Sequence, residues 1–209
     1  MKQKLTPRWL IIKLTGLLFA LYSAYNIFII IRDIRSLTFE GKLISALVAL
    51  LFALLALYAL TSEIKDILFR MIRKWMMTFV LLAIFALKMR MVNKVIDFIV
   101  DYFSYSKPIS LLYGGAYFLT QAALLILVVY YYFFRRMIPN HPKVAIILPL
   151  SAMILFLFSF VFEMILFLRY GIITEASPLR TAVSRPLFYL GFIGLSAYFL
   201  YPPQLPNKK

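Results

Sequence analysis

The sequence predicts an all-α protein, a polytopic bundle of transmembrane helices. Hydrophobic residues make up 64% of the 209 residues, which is more apolar surface than a single soluble core can bury. They are gathered in six long stretches, and the 23 Lys and Arg residues lie almost entirely between those stretches. A bilayer core about 30 Å thick is crossed by roughly 20 helical residues. We therefore predict a single integral membrane domain with spans over 9–31, 43–60, 75–92, 109–134, 144–168 and 186–201.

The first span follows three basic residues, Lys2, Lys4 and Arg8, which is also how a signal peptide begins. Its apolar stretch is too long for a signal peptide, and no cleavage site made of small residues follows it. We therefore predict that this segment stays in the protein as a membrane span.

The third span is the shortest. Residues 76–87 provide about 18 Å of uninterrupted apolar helix, and full length requires that Lys88 and Arg90 extend to the membrane surface. Amphipathic segments over 62–75 and 91–103 flank it and predict interfacial helices, although the first could instead be a helical extension of span two or three. We predict six spans, with five as the alternative if the third segment does not cross.

The last three spans are bounded by aromatic, basic and proline residues. Span four ends in the aromatic run 130–134, followed by Arg135 and Arg136, which is typical of a membrane interface. Span five contains Pro149, which is expected to loosen one helical turn. A loop over 170–185 then leads to span six.

The basic residues predict the orientation of the chain. With six spans and a cytoplasmic N-terminus, about 13 Lys and Arg residues lie inside and about 10 outside, whereas five spans give about 15 and 8. We expect a plasma-membrane protein with a cytoplasmic N-terminus, anchored to anionic lipid headgroups. The formal net charge is +15, but no single face collects the charge into the stripe that nucleic acid requires, so no nucleic-acid partner is expected.

Composition also restricts the chemistry. The chain has no Cys, which excludes thiolate metal sites, and it has no glycine-rich phosphate loop. The one histidine, His141, lies in a turn on the side of the membrane opposite Ser177 and Ser184, which argues against Ser-His catalysis. Asp97 and Asp101 are interpreted as a solvated helix face and not as a metal site. We expect no cofactor, no metal and no catalytic residues.

Polar side chains inside the spans are the candidate functional residues, because placing them in hydrocarbon costs free energy. Glu163 in span five is the leading candidate, as a proton or cation site or as the counter-charge to a basic substrate. In the six-span topology Asn26 lies in the same outer half of the membrane as Glu163, so that the two could share a pocket. The predicted ligand-binding set is Asn26, Tyr117, Gln121, Ser159 and Glu163.

These residues also have structural interpretations. Glu163 could be protonated, or paired with Arg169 or with a basic residue on another helix. The polar face around Gln121 could form hydrogen bonds between helices that only hold the bundle together.

Small residues at regular spacing predict close helix packing. Span one carries Gly16, Ala20 and Ala24 at every fourth position, and span two carries an alanine seam. The seam consists of Ala46, Ala49, Ala53 and Ala56. Ala20 and Ala24 form an AxxxA motif that resembles the contact motif of the vitamin-binding subunits of energy-coupling-factor transporters. That resemblance implies a six-span subunit that docks onto a larger membrane complex.

We expect a small non-enzymatic transport or ligand-binding component. The alternative is an accessory subunit that docks onto a larger membrane partner through the alanine seams and the 62–75 helix. A third interpretation is a membrane-embedded enzyme acting on a lipid-linked substrate through Glu163 and three residues of the last loop. Those three are Glu175, Arg180 and Arg185.

Overall fold

A computed structural model describes residues 6–33, 38–62, 67–103, 106–133, 142–171 and 178–201. In these ranges the chain forms seven helices and no strand. The helices are α1 Pro7–Arg32, α2 Phe39–Leu60, α3 Ile67–Met89, α4 Val92–Phe103, α5 Lys107–Tyr132, α6 Pro142–Tyr170 and α7 Pro178–Leu200. Within the described ranges, six helical segments are long and apolar enough to cross a membrane, the third of them formed by α3 and α4 together. The predicted all-α class of multi-pass membrane protein is confirmed.

The segment predicted as a first interfacial helix over 62–75 is not a separate element where the structure describes it. From Ile67 onward its residues form the first turns of α3, which continues without a break to Met89. Neither Gly nor Pro occurs in this stretch to end the helix. Of the two alternatives, the structure therefore matches the helical extension of span three, and the 23 residues of α3 are about 34 Å long, enough to cross a bilayer.

The second amphipathic segment forms its own short helix, α4. At 12 residues it is about 18 Å long, too short to cross a bilayer alone. It packs on the start of α5, where the ring of Phe98 lies 4.2 Å from that of Tyr113. Gly114 permits this approach, because a Cβ atom there would lie 2.7 Å from the end of the Ile99 side chain.

The last helix begins earlier than predicted. Its first residue is Pro178, so the second half of the predicted loop is helical and Arg185 lies inside α7. Pro186 also lies within the helix, although the sequence predicts that the span begins at this residue. An internal proline removes one backbone hydrogen bond, which neighbouring helices in a membrane bundle tolerate.

The membrane-spanning helices form a closed ring. Contacts link α1 to α2, α2 to α3, α3 to α5, α5 to α6, α6 to α7 and α7 back to α1. Arg8, near the start of α1, donates a hydrogen bond to the hydroxyl of Tyr198, near the end of α7, over 3.2 Å. The start of α1 and the end of α7 therefore lie at the same end of the bundle. This arrangement is expected when the chain crosses the membrane an even number of times.

Aromatic side chains fill the middle of the ring. The ring of Phe192 stacks on that of Phe156 at 5.1 Å and lies 5.4 Å from that of Phe19 and 6.0 Å from that of Phe52. All four side chains are buried. Apolar tails of lipid do not drive helices together, so dispersion contacts of this kind hold the bundle.

Small residues bring α1 close to α2, although not at every predicted position. A Cβ atom on Gly16 would lie 3.0 Å from the Cβ of Ala59. The described side chains of the predicted seams divide into two groups. Gly16, Ala49 and Ala56 are buried and Ala20 is half-buried, whereas Ala24, Ala46 and Ala53 are exposed. Ala46 and Ala53 each lie three residues before a buried alanine, Ala49 and Ala56. Residues three positions apart on an α-helix differ in direction by about 60°, so Ala46 and Ala53 lie outside the buried face.

Candidate ligand cavity

A cavity of about 280 Å³ lies inside the ring, toward the end opposite Arg8 and Tyr198. Its walls come from the C-terminal parts of α1, α3 and α6, from the N-terminal parts of α2, α5 and α7, and from the start of α4. C-terminal and N-terminal ends alternate around the cavity because consecutive helices cross the bundle in opposite directions. Phe52 and Phe188, which line the cavity, connect it to the aromatic core below.

Charged and polar side chains share this lining with apolar ones. Three cationic side chains, those of Lys88, Lys94 and Arg185, face one carboxylate, that of Glu163. The uncharged polar residues of the lining are Tyr22, Asn26, Ser45, Tyr113, Tyr117, Thr120 and Tyr189. The described lining thus carries an excess of positive charge beside aromatic walls.

Glu163 and Arg185 form a buried ion pair across α6 and α7. The Nε atom of Arg185 lies 3.2 Å from Oε2 of Glu163, and Nη1 donates a hydrogen bond to Oε1 over 3.2 Å. Only 13% of the arginine side chain and 10% of the glutamate side chain are exposed. The Tyr189 hydroxyl, one turn after Arg185, donates a second hydrogen bond to Oε1 over 3.0 Å. The carboxylate is therefore held by two residues of α7.

A chain of hydroxyl groups continues from Glu163 into the core. The hydroxyl of Tyr189 lies 3.0 Å from that of Thr120, and Ser159 donates to the carbonyl of Ala116 over 3.0 Å. Each hydroxyl carries one proton. With Glu163 ionised, Tyr189 donates to Glu163. The one proton of Thr120 can go either to Tyr189 or to the Ala116 carbonyl, which lies 2.8 Å away and also accepts from Ser159.

The structure brings three of the five predicted site residues together. Asn26, Tyr117 and Glu163 all line the cavity. The side-chain amide of Asn26 donates to the carbonyl of Tyr22 over 2.8 Å, and the hydroxyl of Tyr117 donates to the carbonyl of Lys88 over 2.6 Å. Tyr117 thereby fixes the end of α3 next to the cavity.

The other two predicted residues do not line the cavity. Ser159 is completely buried, and its hydroxyl binds the backbone of α5. Gln121 lies one turn beyond Tyr117, is 7% exposed and is not part of the cavity lining. Its neighbour Thr120 does line the cavity. Adjacent residues differ by about 1.5 Å in depth and by about 100° around the helix, so direction around α5 separates Gln121 from the site.

The prediction missed the cationic residues of the site. The sequence pattern places Arg185 in the loop before span six and predicts that Lys88 extends to the membrane surface. Instead the Nζ atom of Lys88 lies 4.8 Å from the centre of the Phe188 ring. Arg169, one of the two suggested partners of Glu163, lies over the ring of Tyr170 at 5.7 Å. The pair with Arg185 matches the other suggestion, a basic residue on another helix. The available signal was Tyr189 at four residues from Arg185, a polar pair on one helix face.

Protein-family models, curated proteins and solved structures give no match to this chain. Among the described residues, no group of three or more His, Asp or Glu is placed to hold a metal ion. Asp97 and Asp101 are both exposed, and His141, Ser177 and Glu175 lie outside the described residues, as does the side chain of Arg180.

Proposed function

We propose that the protein is a non-enzymatic binding component of a membrane transport system and that it binds a small amphipathic anion in this cavity. The observation that carries the proposal is the charge of the lining, in which three cationic side chains face a single carboxylate. The carboxylate is already engaged by Arg185.

Electrostatics favours an anionic ligand over a cationic one. Arg185 and Glu163 offset each other, and Lys88 and Lys94 then leave the lining with a positive excess. In a membrane interior of low dielectric constant, such an excess attracts anions and repels cations more strongly than it would in water. An anion that enters the cavity therefore gains energy that a neutral molecule of the same shape does not.

The size and walls of the cavity favour a small molecule with an apolar part. Its volume of about 280 Å³ is near the lower end of the range of small-molecule pockets, about 300 to 1,000 Å³. Phe52 and Phe188 offer aromatic surface, and the Nζ atom of Lys88 lies directly over the Phe188 ring. A ligand with an anionic group beside an aromatic or aliphatic body fits both features.

The ligand would enter from the end of the bundle at which the cavity lies. Lys94 in α4 is exposed there while it also lines the cavity. The count of basic residues in the connections favours the other end, that of the N-terminus, as the cytoplasmic one. We therefore infer uptake from the outer face of the plasma membrane.

Three aromatic probes of fixed charge test the proposal: benzenesulfonate, neutral benzenesulfonamide and cationic benzyltrimethylammonium. Because a ligand that binds only the folded state raises its stability, benzenesulfonate is expected to raise the Tm of the detergent-solubilised protein in proportion to the logarithm of its concentration. The other two probes are expected to have little effect. Equal shifts for all three probes would overturn the proposal.

A charge-removal variant locates the binding. We expect Lys88→Gln combined with Lys94→Gln to weaken the benzenesulfonate response by tenfold or more in apparent Kd. Lys107→Gln is the matched control, because Lys107 is exposed at the same end of the bundle but does not line the cavity. An unchanged response in the double variant would place the anion elsewhere and contradict the proposal.

A second candidate function is that of an accessory subunit. It is supported by the outward face of α1, where Ala24 is exposed beside large exposed side chains such as Leu17, Leu21 and Phe28. A small residue in such a stripe permits close approach of another helix. Purification from native membranes in mild detergent tests this role, and a single monodisperse species without a co-purifying membrane protein would count against it.

A further inference from the structure

We propose that anion binding in this cavity is coupled to uptake of one proton by Glu163, because the anion replaces Glu163 as the partner of Arg185. This inference rests on the proposed function and adds a coupling ion to it. The ligand would therefore enter together with a proton, as in an anion and proton symport.

The geometry places the anion and Glu163 in competition. Arg185 is the cation of the lining that forms an ion pair with Glu163. Its Nε and Nη1 atoms each lie 3.2 Å from an oxygen of the Glu163 carboxylate. Both residues line the cavity. Nη1 donates a hydrogen bond to the carboxylate, while Nε and Oε2 lie close without one. An anion that binds the same edge of the guanidinium competes with the Glu163 carboxylate for these N–H groups. An anion that reaches Arg185 from the cavity therefore meets a second negative charge on the same guanidinium.

Protonation of Glu163 removes this repulsion between the two negative charges. Two anions that share one site cannot both stay ionised without penalty, and a buried carboxylate that loses its cation is strongly disfavoured. A proton from solvent that binds one carboxylate oxygen of Glu163 removes that charge. The entering anion brings one negative charge and the proton one positive charge, so the net charge of the cavity is unchanged.

The hydroxyl chain accommodates both states of Glu163. Tyr189 donates to Oε1 over 3.0 Å. A protonated carboxyl group still has an oxygen that accepts this hydrogen bond, and its own O–H group can donate to the entering anion. The Tyr189 and Thr120 hydroxyls therefore need not reorganise when the proton arrives.

Glu163 is the group in this lining that suits such a coupling. The titratable and charged side chains of the lining are Tyr22 from α1, Lys88 from α3, Lys94 from α4, Tyr113 and Tyr117 from α5, Glu163 from α6, and Arg185 and Tyr189 from α7. Tyrosine, lysine and arginine as residue types ordinarily titrate well above neutral pH. Proton uptake between pH 5 and pH 8 therefore reports on the carboxylate.

Linkage gives the coupling a measurable sign. If the bound state holds one more proton than the free state, the affinity for the anion rises as pH falls, by up to about tenfold per pH unit. Benzenesulfonate is the probe, because its own charge is constant from pH 5 to pH 8. Calorimetric titration in two buffers of different ionisation enthalpy gives the number of protons taken up per anion bound, which we expect to approach about one.

Glu163→Gln removes the competing charge and keeps the shape of the side chain. This variant is expected to bind benzenesulfonate at least as tightly as the wild type at pH 8, with no proton uptake and no pH dependence. Because the substitution deprives Arg185 of its carboxylate, Tm falls without ligand and rises more steeply with benzenesulfonate than in the wild type. Glu40→Gln is the control, since Glu40 is an exposed carboxylate paired with Arg90 at the same end of the bundle, and we expect it to behave as the wild type does.

The outcomes separate this inference from the function on which it rests. Binding to the wild type without proton uptake would overturn the coupling and leave the anion site intact. Proton uptake that persists in Glu163→Gln would overturn the assignment to Glu163. Absence of benzenesulfonate binding in both proteins would overturn the proposed function itself. The measurement on the wild type decides the coupling even if the variant does not fold.

Discussion

At the level of single residues, the main feature of the bundle interior is the buried ion pair of Glu163 and Arg185. Burying two charges is costly, so such a pair is weak evidence for added stability. Its partners nevertheless satisfy the carboxylate from two sides, through Arg185 and Tyr189. Because burial of this ion pair costs free energy and the pair lines a cavity, a functional role explains it better than packing does.

Removing one partner of the pair is expected to be more damaging than removing both. Arg185→Gln leaves a buried carboxylate without its cation, which costs about 3 to 5 kcal/mol for buried pairs. The double variant Glu163→Gln with Arg185→Gln should recover a large part of the loss, because two amides can bond each other. Measurement of Tm in detergent for both single variants and the double variant completes the cycle. Additive losses would show that the two side chains act independently.

At the scale of helices, close approach depends on a few glycines. A Cβ atom on Gly191 of α7 would lie 2.5 Å and 2.8 Å from two carbon atoms of the Phe19 ring. That ring is completely buried and packs edge-on against Phe52 and Phe192, so it has no space into which to move. Contact between α1 and α7 therefore requires glycine at this position.

Gly191→Ala is accordingly expected to destabilise the bundle by about 1 to 3 kcal/mol, the usual cost of overpacking. Gly114→Ala is the matched comparison, because its added Cβ would meet mainly the flexible end of Ile99. A smaller loss of Tm is expected there. Equal losses in the two variants would indicate that helix flexibility, and not contact with Phe19, sets the cost.

The ends of the helices show how charge is placed away from the cavity. Lys13 donates to the carbonyl of Leu60 over 2.7 Å, and Arg73 donates to the carbonyl of Thr61. These carbonyls lie at the C-terminal end of α2, where cations satisfy free acceptors and the helix dipole. Basic residues at this end thus have a structural role as well as the topological one inferred from their number.

At the scale of the whole molecule, the closed ring and the even number of crossings give a topological prediction. Residue 107 and the C-terminus should lie on opposite sides of the membrane. The chain has no native Cys, so Lys107→Cys and Lys209→Cys each supply one thiol for labelling with a membrane-impermeant maleimide. We expect labelling of intact cells at position 107 and, at position 209, only after permeabilisation. Labelling of both positions in intact cells would exclude six spans with a cytoplasmic N-terminus.

Part of the site could be predicted because polar residues in hydrocarbon are few and stand out. Glu163, Asn26 and Tyr117 were identified in this way, and they do line one cavity. Ser159 has the same sequence signal but donates to the backbone of α5. A serine hydroxyl can donate a hydrogen bond to a nearby backbone carbonyl, whereas an ionised carboxylate has no proton to donate and needs a donor from another residue. This is why Ser159 is a packing residue and Glu163 is part of the cavity.

The membrane class, six long apolar stretches with five spans as the alternative, and the polar residues that require partners could be predicted from the sequence. Those properties are local, since apolar length and the cost of a buried carboxylate do not depend on neighbouring helices. The inward faces of the helices could not be predicted in this way, and neither could the ion pair of Arg185 with Glu163 or the position of Lys88 over Phe188. A helix that is apolar on every side has no preferred rotation about its own axis in lipid, so packing against its neighbours sets that rotation.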